Sequence, residues 1–203
     1  MPYYLIGPII AVYVAVALNF LLKRNRRGAE RLDMLNEEES RANRARRRDI
    51  TPEQRVSPDP GALPFTGILR EEEAVRRLAA LPMIRLTKGM TNNEVKLMFG
   101  AQNLGEVARM ESNLAEFIRA AIVWAKALVA AGELTDAERV LLETERLGSD
   151  FAGTYITLAD IYKIKKDDAA LNALYGRVSE ACFAPGDEET KNIIKSIILR
   201  GVK

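Results

Sequence analysis

The hydrophobic and polar positions divide the chain into an uncharged N-terminal stretch, a charged middle and a helical remainder. No charged residue occurs between Tyr3 and Leu22. A helix rises about 1.5 Å per residue, so a stretch of this length can cross the roughly 30 Å of bilayer hydrocarbon. From Gly67 onward apolar residues recur at helical spacing, and no convincing run alternates as a strand would. The pattern predicts an all-α protein without a sheet.

Residues 1–22 are typical of an uncleaved, single-pass membrane anchor. A cleavable signal peptide has a basic start, whereas here the basic residues follow the apolar stretch. Lys and Arg resist translocation, so the short N-terminus is expected outside and residues 23–203 in the cytoplasm. The sequence does not separate a bacterial inner membrane from an organellar membrane.

One face of this predicted helix carries small residues and an asparagine at a spacing of four. Small residues let two helices approach closely, and a buried asparagine can hydrogen-bond between them. Self-association in the membrane is one interpretation, and the ordinary abundance of small residues in membrane helices is the other. The residues concerned are Gly7, Ala11, Ala15 and Asn19.

Residues 23–50 form a basic segment that good helix formers predict to be a helical juxtamembrane stalk. Contact with anionic lipid, nucleic-acid binding and a solvated stalk whose charge sets topology are the three interpretations. No aromatic residue is interleaved for base stacking, which argues against nucleic acid. The basic residues assigned to the membrane surface are Lys23, Arg24, Arg26, Arg27, Arg44, Arg46, Arg47 and Arg48.

Four closely spaced prolines follow the stalk, namely Pro52, Pro58, Pro60 and Pro64. Proline has no amide donor and disfavours helix in the preceding residue. The pattern predicts an extended linker over residues 51–66 and a folded domain over 67–203.

The most regular helical pattern in that domain predicts an antiparallel hairpin. One apolar stripe is interrupted by Gly132 and continues in a second helix after a short turn. Its members are Leu114, Phe117, Ala121, Trp124, Leu128, Ala137, Leu141 and Thr144.

This hairpin resembles the tetratricopeptide (TPR) repeat, a helical hairpin that recurs with a fixed period. Trp124, Ala125, Leu128, Gly132 and Ala137 fill the places of the repeat pattern in order. Leu158, Ala159 and Tyr162 follow one repeat period after the first three and indicate a second, partial copy.

The second copy departs from the pattern, because Lys166 stands at the turn glycine and Leu171 at the tightly packed alanine. The repeats are expected at about 114–147 and 148–181. A helix at about 187–200 is expected to cap them, since two repeats alone leave their faces uncovered.

The resemblance implies a binding module that holds a peptide or helix of another protein on its concave face. The side chains expected there are Arg119, Ile122, Lys126, Val129, Ile156, Asp160 and Lys163. The paired Lys and Asn arrangement with which some TPR domains clamp a terminal carboxylate is missing, so the class of partner stays open.

Composition excludes the commonest catalytic chemistries. The chain has no histidine and one cysteine, Cys182, and it has no phosphate-binding loop or nucleophile motif. No enzyme activity, cofactor or metal is expected. The sequence predicts a membrane-anchored TPR-like adaptor that recruits or assembles a partner protein, with homo-oligomerisation open. The alternatives are a permanent accessory subunit of a membrane complex and a membrane tether for nucleic acid.

Overall fold

The computed structural model describes residues 20, 23–24, 29–67, 70–87, 89–180 and 188–199 of the chain. The predicted anchor therefore lies outside the described residues except at Phe20, and its small-residue face lies outside them entirely, as do Arg26 and Arg27. No helix in the described part of the chain is both long and apolar enough to cross a membrane.

The described residues form an all-α fold, as the sequence predicts. A first helix, α1, covers 29–43. The other helices are α2 (Arg70–Ala79), α3 (Asn92–Phe99), α4 (Leu104–Ala130), α5 (Leu134–Arg146), α6 (Ala152–Lys165), α7 (Asp168–Glu180) and α8 (Glu188–Leu199), with 3₁₀ turns at Pro52–Gln54 and Ala101–Asn103.

The prediction that the chain has no sheet is wrong, because the described residues include a small two-stranded sheet. Strand β1 (Arg55–Val56) pairs antiparallel with β2 (Met83–Ile84), so that Arg55 lies opposite Ile84. Both strands are too short for an alternating pattern to show in the sequence. The pairing nevertheless ties the segment before α2 to the segment after it.

Helices α4 and α5 form the first hairpin, with the predicted stripe at its centre. Phe117, Ala121 and Trp124 of α4 are buried against Ala137 and Leu141 of α5. The turn between the helices contains Gly132 at a φ of +86°, a conformation that glycine adopts without strain. Helix α4 begins at Leu104, well before the stripe, so its first half extends beyond the hairpin.

Helices α6 and α7 form the second hairpin. Leu158, Ala159 and Tyr162 are buried in it, and Lys166 ends α6 in the left-handed conformation at a φ of 55°. Helix α6 packs against both α4 and α5, while α8 packs against α6 and α7 through Ile194 and Ile198. Ile194 and Ile198 are thus buried at the end of the stack, whereas Ile193 is exposed.

The predicted extended linker over 51–66 does not lie outside the folded domain, because much of this segment is packed on the helices. We call residues 57–67 the strap. Leu63 of the strap is 5% exposed and belongs to the main core, and Phe65 stacks on Trp124. Two buried carboxylates accept backbone N–H groups of the strap, which stabilises its extended conformation. The folded domain therefore begins well before Thr66.

The two carboxylates belong to α5 and α2. Glu143 accepts the N–H of Asp59 at 2.7 Å, and Glu72 accepts that of Gly67 at 2.7 Å. Arg146 holds the other side of the strap through the carbonyl of Ser57 at 2.9 Å. The prolines predict an extended backbone correctly, but they carry no information on what that backbone contacts.

Candidate binding groove

An open groove of about 830 Å³ lies where the first half of α4 extends beyond the hairpin. Its walls are the loop after β2 and the turn between α5 and α6. Apolar side chains dominate its floor, including Ile84, Leu86, Leu114, Ile118 and Phe151. The charged residues that line it are Arg85, Glu111, Glu145, Asp150 and Arg177.

The turn between α5 and α6 is fixed by glycine geometry and by buried hydroxyl groups. Gly148 has a φ of +86°. Ser149 shares a hydrogen bond of 2.8 Å with Thr154, and the Tyr155 hydroxyl donates to the Ser149 carbonyl at 2.8 Å. These buried polar groups satisfy one another, so this wall of the groove is preformed.

Arg85 closes the rim of the groove by lying across this turn. A Cβ atom at Gly148 would be 2.6 Å from Cδ and 2.7 Å from Nη1 of Arg85. Only glycine therefore lets the arginine approach so closely. The contact joins the loop after β2 to the turn between the hairpins.

The opposite end of that loop is held by the start of α3. Thr91 caps the helix, since its hydroxyl accepts the N–H of Glu94 at 3.3 Å while the Glu94 carboxylate accepts the N–H of Thr91 at 2.7 Å. The backbone N–H and the hydroxyl of Thr91 both donate to the Glu94 carboxylate, and these two bonds lower the pKa of Glu94. Asn92 and Asn93 are equally good capping residues by type, but the structure assigns the cap to Thr91.

An ion pair supports the groove from the side of α7. Arg177 donates to Glu145 at 2.9 Å. Burial acts to lower the pKa of Arg177, but the bond to Glu145 outweighs it and the pKa lies above its usual value. Arg177 thus remains protonated and forms an ion pair with Glu145 at this edge of the groove.

The structure brings only part of the predicted concave face to an accessible surface. Arg119, Lys126 and Asp160 are exposed. Val129 and Ile156 are half-buried, and Ile122 is buried at 8% exposure beside Gly153. The Lys163 amine donates to the carbonyl of Ile197 in α8 at 2.9 Å, so the capping helix occupies that end of the face.

The remaining face continues into the groove through one contact. The Arg119 guanidinium lies 4.9 Å from the centre of the Phe151 ring, which lines the groove. The groove was not predicted, because its walls come from two loops that are far apart in the chain. Breaker residues mark each loop as a turn, but nothing in the sequence indicates that the turns meet.

The predicted stalk divides into an exposed helix and a docked end. Residues 29–39 of α1 are exposed, as are Lys23 and Arg24. Ala42 is fully buried, and the N–H of Arg48 donates to the Phe99 carbonyl at 3.1 Å. The assignment of the whole of 23–50 to a stalk outside the domain is therefore wrong at its C-terminal end.

We call residues 44–48 the basic segment. Its arginines, Arg44, Arg46, Arg47 and Arg48, have exposed side chains. Their backbone is held on the domain by Asn103, a buried residue whose amide donates to the carbonyls of Arg48 and of Phe99. Asn103 thus positions the basic segment.

In the described ranges, no group of three or more acidic, cysteine or histidine side chains could hold a metal ion. The groove has the composition of a binding surface, with an apolar floor and charged rims. Comparisons with protein-family models, with curated proteins and with solved structures find no match.

Proposed function

We propose that this chain is a membrane-anchored, TPR-like adaptor that binds a partner protein at the cytoplasmic face of a membrane. The observation that carries the proposal is the groove beside α4, which is open, apolar at its floor and continuous with the exposed part of the α4–α6 face. Such a surface suits a helix or an extended segment of another protein. The anchor rests on the uncharged stretch from Tyr3 to Leu22.

Three features of the helical stack support the TPR-like part of the proposal. Two hairpins follow each other, and their turn residues with positive φ, Gly132 and Lys166, are separated by one repeat period. Ala137 is fully buried between the helices of the first hairpin. The first helices of the two hairpins, α4 and α6, also contact each other, as a stack of repeats requires.

An accessory subunit of a larger membrane complex is the second candidate, and α1 favours it. Leu32, Met34 and Leu35 of α1 are 61%, 71% and 53% exposed. Permanent burial of these side chains against other subunits would remove their apolar surface from water and so stabilise the complex. An adaptor would separate from its partners in mild detergent, whereas a subunit would co-purify stoichiometrically.

The test compares two alanines of α4 in the full-length protein. Ala115 lines the groove, while Ala130 is exposed at the other end of the helix. We expect Ala115→Trp to fill the groove and abolish crosslinking to partner proteins in native membranes. Ala130→Trp, the matched control, should leave the crosslinks unchanged. Equal crosslinking in both variants would exclude the groove as the binding site.

A further inference from the structure

A second, smaller hollow of about 200 Å³ continues the groove towards α3. The two spaces share a set of lining residues, namely Ile84, Arg85, Leu86, Thr87 and Met90. The hollow adds Val56, Met98 and Phe99, and Met98 is 43% exposed. An apolar track therefore runs from Phe151 past Arg85 to Phe99.

The balance of charge differs along this track. Three carboxylates and two arginines line the groove, namely Glu111, Glu145, Asp150, Arg85 and Arg177, and Glu145 is paired with Arg177. Among the described residues that line the smaller hollow, Arg85 is the only charged one. Arg85 lines both spaces and lies against Gly148. The described lining at the α3 end of the track thus contributes one positive charge and no carboxylate.

The basic segment lies directly behind that end. Its backbone donates to the carbonyl of Phe99 through Arg48 and accepts the N–H of Ala101 through Ala45. Within the described part of the chain, no carboxylate is within 4.0 Å of the side-chain nitrogens of Arg44, Arg46, Arg47 or Arg48. Over 41–49, arginines outnumber acids, of which Asp49 is the only one. This concentration of charge is fixed on the domain and complements an anion.

Protein suits this position better than lipid or nucleic acid. The described part of helix α1, 29–43, has a length of about 22 Å, which separates the basic segment from residue 29 of the stalk. The potential of an anionic membrane decays over roughly 8 Å at physiological salt, so an upright stalk leaves the segment beyond its reach. No aromatic residue in the segment offers a stacking surface for bases.

We infer that the bound partner is a protein segment in which an acidic run adjoins a cluster of apolar residues. The apolar side chains fill the groove and the smaller hollow, and the acidic run lies over Arg85 and the basic segment. This inference rests on the proposed function and adds the chemistry and the direction of the bound segment. Charge complementarity sets that direction, because the reverse orientation would move the acidic run away from Arg85 and the basic segment and place it beside Glu111.

The experiment selects binders from a library of random linear peptides displayed on phage, with the full-length chain in mild detergent. We expect the enriched peptides to pair an apolar cluster with an acidic run. Their affinity should fall about tenfold or more in Arg47→Gln/Arg48→Gln and with added salt. The matched control, Arg70→Gln/Arg77→Gln, removes two exposed arginines of α2 and should change nothing.

The other outcomes separate this inference from the proposed function. If the enriched peptides are apolar without an acidic bias, and Ala115→Trp abolishes their binding, the inference is overturned and the groove remains a binding site. If no enriched peptide loses affinity in Ala115→Trp, both the inference and the proposed function are overturned. Acidic peptides that bind the Ala115→Trp variant as tightly as the unaltered protein would overturn the inference, because the basic segment would then bind polyanions by itself. Displacement of the selected peptides by phosphatidylglycerol vesicles or by an oligonucleotide, as effectively as by free peptide, would overturn it for the same reason.

Discussion

The ring of Phe65 stacks on the indole of Trp124, with centroids 5.3 Å apart and planes 9° from parallel. The Arg76 guanidinium lies over the Phe65 ring, 4.3 Å from its centroid. A residue of the proline-rich strap thus contacts both a cation of α2 and the central tryptophan of α4. Stacking and cation–π contacts of this kind add to the free energy of burial.

Phe65→Ala should therefore lower the free energy of unfolding by about 2–3 kcal/mol, since it removes a large half-buried ring and both contacts. Trp124 is the only tryptophan of the chain, so its fluorescence reports directly on the loss. Val123→Ala, at a position 56% exposed, is the control and should change stability by less than about 0.5 kcal/mol. Equal effects would mean that the strap does not stabilise the core.

Glu72 should make stability sensitive to acid. Burial alone would raise its pKa, but hydrogen bonds from Arg76, Gly67 and Thr66 outweigh burial and hold the pKa below the usual 4.5. Because the folded pKa is depressed, this stabilisation is present above 4.5 and is lost as pH falls through the lower, folded value.

Urea unfolding between pH 7 and pH 3 measures this effect. We expect Glu72→Gln to lower stability at pH 7 and to flatten its decline below pH 4.5. Glu73→Gln, which changes an exposed neighbour, is the control and should keep the decline of the unaltered protein. An equally steep decline in Glu72→Gln would assign the acid sensitivity to other carboxylates.

Gly100 should be intolerant of any side chain. Its φ is +89°, and a Cβ atom there would lie 2.6 Å from the Cα of Arg47 and closer still to the carbonyl of Arg46. Gly100→Ala should cost about 2 kcal/mol or more and speed hydrogen exchange of the Arg48 amide. Gly105→Ala has open space in α4 and should instead stabilise by about 0.5–1 kcal/mol. An unchanged Arg48 amide in Gly100→Ala would mean that the segment is held elsewhere.

Lys166 occupies a position that favours glycine, as does Gly132 in the first hairpin. Its left-handed conformation, φ 55° and ψ 38°, costs a residue with a Cβ about 1–2 kcal/mol. Lys166→Gly should raise the free energy of unfolding by about 0.5–1 kcal/mol, after the greater freedom of glycine in the unfolded chain is counted. Gly132→Lys should instead lower the free energy of unfolding. Thermal melts of both variants measure these two changes, and a loss of stability in Lys166→Gly would contradict the prediction.

Lys163 should act on α8 rather than on a partner. Its amine donates to the carbonyl of Ile197 in the last turn of α8, where a cation also complements the helix dipole. We expect Lys163→Ala to cost about 1 kcal/mol and to speed hydrogen exchange in α8. Lys126→Ala, an exposed lysine of α4, should leave exchange in α8 unchanged. Equal hydrogen exchange of α8 in the two variants would mean that Lys163 does not stabilise α8 and is available to a partner on the binding face.

Much of the helical part could be predicted because its signals are local. The stripe through Trp124 and the turn at Gly132 lie within one hairpin. The stripe is buried and the chain turns at Gly132, as the pattern predicts. The start of α4 at Leu104 could not be located in this way. The part of the helix that precedes the stripe buries Val107 and Met110 with residues of α3, in a second core separate from that of the hairpins.

The groove and the docked segments depended on contacts between distant parts of the chain. Pro64 and its neighbours predict an extended backbone. Phe65 contacts Trp124 only because α2 packs on α4, which brings the strap beside the tryptophan. The residues around Arg85 and around Gly148 each predict a loop. The contact between Arg85 and Gly148 cannot be predicted from them, because it depends on β2 and the turn after α5 lying side by side.

The sequence by itself determined the all-α class, the hairpin built around Trp124, and the uncharged stretch on which the anchor proposal rests. Periodicity and breaker residues act over a few turns of helix, so they specify elements and their inward faces. Only the tertiary structure decided that the strap and the basic segment belong to the folded domain. Backbone hydrogen bonds to Glu72, Glu143 and Phe99 hold those segments, and such bonds depend on where the chain returns in space rather than on the residues beside them.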